Sequence, residues 1–506
     1  MALETPKIND NNDIKTENEN ILGTKSKKDE YYNISFPVKI SNDVFRLNHD
    51  LINLRRYFHA NPELSWQEFN TAKNIAKYLT ALKLPIKTGI AGTGVTSVIH
   101  GLHNGPTILL RADMDALPIN ETNKLSYKSK VKDVMHACGH DGHMAILLTV
   151  ARILSEPKYI KNIHGSVKFC FQPAEEGGAG AKKMIEEGNI LKYDKELKCN
   201  PVDQVYGLHV WSYDKVGTAL IKHGCLMAGS CTINIEIQGL GGHGAEPKGT
   251  CDTILATSAL IIQIHSIVSR NISPLDEGVI TIGTFESGTK GNIIAENGKL
   301  TGTMRWVSDD IFNIFDTRLK QICAGIEISY QVKVNLTYKT ETKYPPTINS
   351  SKECVNNVIN AAKKVIPEGI KTDGGTMAAE DFAFFLNKKP GCFFFVGCKP
   401  DDENAPTTPH HKSIFNMDER CLSIGVQIFV NLIMDILSKP KDIKPPPTID
   451  TNNTNDPNVP KPPTTTDPNV TKPSSNDANN NETTKKPETD IVGNGIISDN
   501  NQPKPE

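Results

Sequence analysis

The segment 135–143 concentrates side chains that bind transition metals. It contains Cys138, three histidines and an aspartate, and Gly139 and Gly142 let the backbone turn tightly. Imidazole and thiolate are the usual ligands of zinc and its first-row neighbours. Cys138 and His140 stand two residues apart, so both side chains can face one centre on a looping segment. The segment predicts a metal site, and the alternative is a histidine-rich loop before a helix.

Further side chains of ligand type follow three apolar, strand-like runs at 107–111, 166–171 and 204–208. Open α/β sheets bind ligands beyond the carboxyl ends of their strands, so residues at these positions can meet at one edge. The alternatives are that the aspartates among them cap loops and that the glutamates complement the dipole of a helix. Chance seldom places such residues after every strand, which favours a site. The residues concerned are Asp113 with Asp115, Glu175 with Glu176, and His209.

Apolar periodicity predicts the elements that position these residues. Apolar residues over 44–58 recur at steps of three and four, which is typical of an amphipathic helix. Ser65 and Glu68 have the spacing of a capping box, which predicts a helix that starts there. A further helix is predicted from Met144. Later predicted elements are helices near 351–365 and 378–387, a buried strand at 392–396 and a last helix ending near Leu437.

The pattern changes after about Gly224, where apolar and polar residues alternate. Ile233, Ile235 and Ile237 share one face of a run at 232–237, as in a half-buried antiparallel strand. The element order of this segment is β-α-β-β-α-β, which fits a small ferredoxin-like domain inserted into a larger one. Its later predicted elements are a helix at 252–269, strands at 278–285 and 293–306, a helix at 309–328 and a strand at 332–337.

We therefore predict an α/β protein with a catalytic α/β/α domain, built on a central mixed sheet, and an inserted ferredoxin-like α+β domain. Both ends of the chain are polar and lack apolar periodicity, so we expect them to be disordered. The predicted divisions are an N-terminal tail at 1–40, the first catalytic part at 41–224, the inserted domain at 225–339, the second catalytic part at 340–438 and a C-terminal tail at 439–506.

Composition and charge limit the classes of partner. The formal net charge of −2 gives no electrostatic basis for binding nucleic acid or an anionic membrane. No apolar run approaches the roughly 18 residues of a membrane span. The N-terminus has no apolar core of a signal peptide, so we expect a cytoplasmic protein whose 11 cysteines are reduced.

Eight motifs, taken in order, resemble the amidohydrolase branch (subfamily D) of metallopeptidase family twenty. That family includes aminoacylase-like enzymes, hippurate hydrolases and hydrolases of indoleacetyl–amino acid conjugates. The resemblance runs from about residue 45 to residue 437, so it covers everything except the tails. The motifs lie at 59–65, 110–118, 135–143, 172–180, 207–211, 241–245, 302–305 and 379–382.

The resemblance implies a site for two divalent metal ions, manganese or zinc, in the larger domain. Glu175 would be the general base and Asp113 a supporting carboxylate. Cys138 would take the bridging position between the ions. The implied metal ligands are Cys138, His140, Glu176, His209 and His411.

The resemblance also assigns roles to the inserted domain, which acts in relatives as a lid and commonly as a dimerisation surface. His243 would support the developing oxyanion, while Asn292 and Arg305 would hold the substrate carboxylate. A homodimer through this domain is therefore an expectation. The last metal ligand has two candidates: spacing from the downstream phenylalanine selects His411, and His410 is the alternative.

We therefore expect a metal-dependent hydrolase of small N-acyl amino acids, which uses an activated water and a glutamate base. A dipeptidase or carboxypeptidase on the same scaffold would use the same chemistry. The alternative from another class is an inactive binding or scaffold protein whose C-terminal tail is its working part. The presence of every expected ligand and of the base argues against that alternative.

Overall fold

A computed structural model describes residue 28 and residues 31–402, 404 and 407–438. The predicted C-terminal tail at 439–506 lies outside the described residues, as does most of the predicted N-terminal tail. The helices are α1 (Asn42–Phe45), α2 (Asn48–Ala60), α3 (Phe69–Ala81), α4 (His140–Leu154), α5 (Pro157–Ile160), α6 (Glu175–Gly178), α7 (Gly180–Glu186), α8 (Thr253–Asn271), α9 (Asp309–Tyr330), α10 (Lys352–Lys363), α11 (Ala383–Leu386) and α12 (Arg420–Leu437).

The strands follow in the same chain order. They are β1 (Ile86–Ile90), β2 (Gly94–His100), β3 (His103–Asp113), β4 (His164–Gln172), β5 (Gln204–Lys215), β6 (Ala219–Leu220), β7 (Gly224–Met227), β8 (Gly229–Gln238), β9 (Gly242–His243), β10 (Gly278–Ser287), β11 (Ile293–Ile294), β12 (Asn297–Trp306), β13 (Lys333–Tyr344), β14 (Thr347–Asn349), β15 (Ile370–Lys371) and β16 (Gly391–Lys399).

The central sheet has eight strands in the order β1-β2-β4-β3-β5-β16-β6-β15. Its middle strands β4, β3, β5 and β16 run parallel, whereas β1 and β2 pair antiparallel at one side. Alternate residues of β3 face opposite layers: Ile108 and Leu110 join the main core, and Leu109 joins a second core. The main core contains α4 and α12, and the second contains residues of α7 and α11. The α/β/α arrangement with a mixed sheet is confirmed.

A separate antiparallel sheet of four strands has the order β10-β12-β8-β13. Helices α8 and α9 cover one face and share an apolar core with the strands. Ile233, Ile235 and Ile237 are buried in this core, as their alternation predicts. The chain order β8-α8-β10-β12-α9-β13 confirms the ferredoxin-like insertion. The exact domain boundaries, 225 and 339, stay predictions.

The capping-box prediction for Ser65 and Glu68 is wrong. The Ser65 hydroxyl donates to Asp115 at 2.7 Å, and Glu68 accepts from the Thr93 hydroxyl and from the Ala174 N–H instead of closing a cap. Helix α3 starts at Phe69. Both side chains are used to join distant loops, which a local sequence pattern does not reveal.

The helix predicted at 378–387 is also shorter than expected, because α11 covers only Ala383–Leu386. Glu380 and Asp381 stand before it as buried ion-pair partners of Arg111, at 2.9 and 2.8 Å. Those contacts hold the preceding backbone outside a helix.

Residues 31–40, part of the predicted N-terminal tail, pack on the main core. Tyr32 is 7% exposed and Ile40 is 3% exposed. The Tyr32 hydroxyl forms a hydrogen bond with Ser423 of α12. Folded sequence therefore begins before the predicted residue 41, because α12 covers apolar side chains that show no periodicity of their own.

Two helices of the described residues are long and apolar enough to span a membrane, in contrast to the expectation from the sequence. Helix α12 has a mean hydropathy of 1.6, and 72% of its residues are buried. It lies in the main core. Helix α8 has a mean hydropathy of 1.3 and is 33% buried. Core helices of globular proteins pass the same test, so this feature carries little weight.

Candidate metal centre and active site

The candidate site lies at the carboxyl ends of the parallel strands. Asp113 ends β3 and is level with Gln172 at the end of β4. His209, predicted to follow the end of its strand, instead lies inside β5, because β5 continues to pair with β16 through Phe395. The three strands still bring Asp113 and His209 to one edge of the sheet.

His140 is the first residue of α4, directly after Gly139, whose φ of 95° suits only glycine well. The His140 Nδ1–H donates to the carbonyl of Asp115 at 2.8 Å. Its buried Nε2 has no hydrogen-bond partner in the part of the chain that the structure describes. A histidine oriented through one nitrogen with the other free is the usual state of a metal ligand.

Cys138 and His209 complete the first group of ligand-type atoms. The Cys138 Sγ lies 3.3 Å from the His209 Nε2, and the His209 Nδ1–H donates to the Val210 carbonyl at 2.6 Å. This contact leaves the Nε2 lone pair of His209 directed at the cysteine. The ligand atoms of Cys138, His140 and His209 all lie within 4.8 Å of one another.

A second group shares the same cysteine. The ligand atoms of Cys138, Glu176 and His411 also lie within 4.8 Å of one another. The His411 Nε2 is 3.2 Å from the Glu176 Oε1, and this buried oxygen has no hydrogen-bond partner among the described residues. His411 has a φ of 60°, an uncommon backbone conformation that tends to occur at functional sites. The thiol thus stands between two groups of donors.

The structure separates the two candidates for the last ligand. The His410 Nε2 accepts the Ser212 N–H at 3.1 Å, and its ring packs against Trp211 and Phe415. Burial lowers the pKa of His410 to about 3, which favours its neutral form. His411, and not His410, joins the group with Cys138.

Glu175 lies beside the cluster, with a carboxylate oxygen within 4.8 Å of the ligand-type atoms of His140 and Glu176, and it has further partners outside the cluster. Its Oε1 accepts the Asp381 N–H at 3.3 Å, and its carboxylate lies within 4.8 Å of those of Glu380 and Asp381. Burial, followed by repulsion from Glu380 and Glu176, raises the pKa of Glu175 well above its usual range. This carboxyl group therefore binds a proton readily.

Asp113 supports the cluster from behind. It accepts hydrogen bonds from Arg111 and from the His143 Nδ1–H, each at 2.6 Å. Burial opposes its ionisation, but His140 and Arg111 outweigh burial and hold its pKa well below the usual range. The other nitrogen of His143 accepts the Val210 N–H at 2.9 Å, so this third histidine of the motif has no free atom for a metal.

Asp115 caps the loop that bears the two glutamates, which was the alternative to a role in metal binding. Its two carboxylate oxygens accept the N–H groups of Glu175 and Glu176 at 3.0 and 2.9 Å. Loop capping is therefore the correct interpretation for Asp115. Arg111, whose role the motifs did not reveal, neutralises several buried acids, and its place two residues before Asp113 on a buried strand was the available signal.

The charges of the cluster favour a bound cation. Burial alone would lower the pKa of His140, but Asp113 and Asp115 outweigh it and raise that pKa to about 10. Burial and the nearby Glu176 raise the pKa of the Cys138 thiol well above its usual range. A thiolate here therefore needs positive charge beside it. The donor set of thiol, imidazoles and carboxylate, with free atoms on His140 and Glu176, fits divalent transition metals.

The cluster opens into a cleft of about 750 Å³, which Arg305 also lines. The other two predicted residues of the inserted domain lie elsewhere. His243 and Asn292 are exposed and line a separate pocket of about 690 Å³ with Gly241 and Gly242. The structure thus brings Arg305, but not His243 or Asn292, to the same cleft as the cluster.

Known proteins resemble the chain over most of its length. The family model described as "Peptidase family M20/M25/M40" matches residues 109–435 of this chain. Thermostable carboxypeptidase 2 of Saccharolobus solfataricus is 37% identical over 390 residues, which cover 76% of this chain and 95% of that protein. N-acetyl-L-cysteine deacetylase of Bacillus subtilis is 37% identical over 388 residues, covering 77% and 87% respectively.

A solved structure resembles it too. The YXEP protein of Bacillus subtilis, a dinuclear metal-binding peptidase of the M20 family, has a TM-score of 0.65 at 30% identity, over 77% of this chain and 98% of that one. The family model covers more than half of the chain. The YXEP protein is described as binding two metal ions, in line with the two groups of ligand-type atoms that share Cys138. The chain therefore belongs to peptidase family M20/M25/M40 and is a metal-dependent amidohydrolase of its amidohydrolase branch.

Proposed function

We propose that this enzyme hydrolyses N-acyl amino acids to a carboxylic acid and a free amino acid. The observation that carries the proposal is the position of Arg305 in the cleft of the metal-type groups. Its guanidinium donates only to the Met304 carbonyl, and no ion pair found among the described residues includes it. Burial lowers the pKa of Arg305, and an anion beside its half-buried guanidinium would offset that desolvation. The free carboxylate of an N-acyl amino acid supplies that anion.

The proposed metal ligands divide into two sets. Cys138, His140 and His209 would hold one divalent ion, and Cys138, Glu176 and His411 would hold the other, with manganese or zinc as the expected metal. When bound, such ions polarise an amide carbonyl and lower the pKa of the attacking water from about 15.7 toward 7.

Glu175 is the proposed general base. Its carboxylate would accept the proton of the attacking water and pass it to the leaving amine, a contribution of about 10²–10⁴-fold to the rate. The raised pKa of this buried carboxyl group supports a role in proton transfer. Asp113 would keep His143 in place through the hydrogen bond from its Nδ1–H, and the Asp115 carbonyl would do the same for His140.

A substrate panel tests the proposal. We expect hydrolysis of acetyl, benzoyl or indoleacetyl amino acids, and a kcat/KM lower by about 10-fold or more for the matching amino acid amides, which lack the carboxylate for Arg305. Purified enzyme reconstituted with Mn²⁺ or Zn²⁺ would be assayed for released amine. Equal rates on acids and amides would contradict the role of Arg305.

Carboxypeptidase activity is the second candidate, because a carboxypeptidase is among the similar proteins. Its substrates also end in a free carboxylate, so Arg305 does not separate the two. The panel should therefore include N-blocked dipeptides. Faster hydrolysis of these peptides than of every N-acyl amino acid would favour the carboxypeptidase.

A further inference from the structure

Tyr344 connects the inserted sheet to the turn that bears the two glutamates. We propose that Tyr344 is a positioning residue for Glu175. The tyrosine acts on this glutamate through the backbone of the turn 174–179. The proposal rests on the proposed function, because it takes Glu175 as the base. Neither the motifs nor the metal-type groups include this tyrosine.

The contacts of Tyr344 reach across two parts of the fold. It is the last residue of β13 and pairs with Ser230 of β8, so its backbone belongs to the inserted sheet. Its side chain is 4% exposed and lies in the cleft. The hydroxyl donates to the Glu175 carbonyl at 2.7 Å and accepts the Ala179 N–H at 3.1 Å. One oxygen thus binds both ends of the turn.

The turn needs such support because its backbone is not a regular helix. Ala174 and Ala179 both have a φ of 52°, a left-handed conformation that alanine rarely adopts. Glu176 and Gly177 have non-helical angles as well. The backbone groups of the turn therefore lack the partners that an α-helix would give them.

Three side chains supply partners to the turn. Glu68 accepts the Ala174 N–H at 2.9 Å, and the other two bind the turn from opposite sides. Asp115, at the end of the central sheet, accepts the N–H groups of Glu175 and Glu176. Tyr344, from the inserted sheet, binds the carbonyl of Glu175 and the N–H of Ala179. The direction of the Glu175 side chain thus depends on both sheets.

Tyr344→Phe tests the link, because it keeps the ring and removes both hydrogen bonds. We expect kcat to fall by about 10-fold, since Glu175 loses its alignment, while KM stays within about two-fold and the metal content does not change. Tyr338→Phe is the matched control. It lies on the same strand, and its hydroxyl donates to Asp316 at 2.7 Å within the inserted domain.

Hydrogen exchange gives a readout that does not depend on catalysis. The Ala179 amide should exchange faster in Tyr344→Phe than in the wild type and should be unchanged in Tyr338→Phe. Circular dichroism would verify that both variants fold. Unchanged exchange at Ala179 would overturn the proposed contact.

The other outcomes are also decisive. Faster exchange with normal kcat would overturn the positioning role, and so would a loss of metal equal to the loss of activity. A wild-type enzyme that hydrolyses no member of the substrate panel would count against the proposed function alone. In that case the exchange at Ala179 still decides whether Tyr344 holds the turn.

Discussion

Glu175 and Glu176 are adjacent carboxylates that have different surroundings. The Glu176 Oε1 faces the His411 imidazole at 3.2 Å, whereas the Glu175 Oε1 accepts the Asp381 N–H. Asp115 holds the backbone N–H groups of both. A carboxylate oxygen of each also lies within 4.8 Å of the other and of a His140 nitrogen, so one can bind metal while the other transfers a proton beside it.

Neutral amide variants should separate these roles. Glu175→Gln keeps the shape but not the proton acceptor, so we expect normal metal content and a kcat reduced by about 10²-fold or more. Glu176→Gln should lose metal and activity together. Metal analysis after dialysis, combined with steady-state kinetics, measures both quantities.

The control is Glu186→Gln, an exposed glutamate at the end of α7 that should change neither property. A metal-depleted Glu175→Gln beside a fully loaded, inactive Glu176→Gln would reverse the assignment. If both variants kept metal and turnover, the pair would only cap the turn.

At the level of elements, the segment 31–40 extends the folded chain. Tyr32 and Ile40 are buried in the main core, and the Ser41 N–H donates to Gln427 of α12 at 2.8 Å. Helix α12 also packs in the core that supports α4, which begins with His140. The segment thus stabilises the layer that carries one of the proposed ligands.

Truncation should show this contribution. Removal of residues 1–40 deletes Tyr32 and Ile40 and exposes the apolar surface that they cover. At about 1.5–3 kcal/mol for each buried apolar side chain, the free energy of unfolding should fall by about 3 kcal/mol or more. Removal of residues 1–30 leaves these contacts in place and serves as the control. Thermal melting of chains that start at residues 31 and 41 compares them. Equal melting temperatures would mean that the segment adds nothing to stability.

At the level of the whole molecule, the inserted domain presents residues to two different pockets. Arg305 lines the cleft of the metal-type groups, whereas His243 and Asn292 line the separate pocket. The predicted role of His243 at the oxyanion therefore requires a movement of the inserted domain or a second chain. The predicted homodimer is one arrangement that would meet this need.

His243→Ala tests that role. We expect kcat to fall by about 10²-fold or more with unchanged metal content, as for the loss of a group that stabilises the oxyanion. His265→Ala, an exposed histidine on α8, is the control. Light scattering over the assayed range of protein concentration would show whether turnover follows dimer formation. Near-normal turnover of His243→Ala would remove this residue from the mechanism.

Local sequence pattern is enough to identify those parts of the protein that follow from periodicity. Apolar runs located the strands, and polar residues after them marked the edge at which Asp113 and the glutamate pair lie. The alternation around Ile235 and the order of elements were enough for the ferredoxin-like insertion. These features are readable because side-chain periodicity follows directly from strand and helix geometry.

The partners of neighbouring side chains, by contrast, follow from the packing of distant parts of the chain. His410 and His411 are both histidines in one loop, and a φ of 60° at His411 turns one toward Glu176 while the other packs on Trp211. Tyr344 meets the Glu175 carbonyl across 169 residues of chain. No local pattern encodes such contacts, because they depend on how separate sheets pack and on which backbone groups are left without partners.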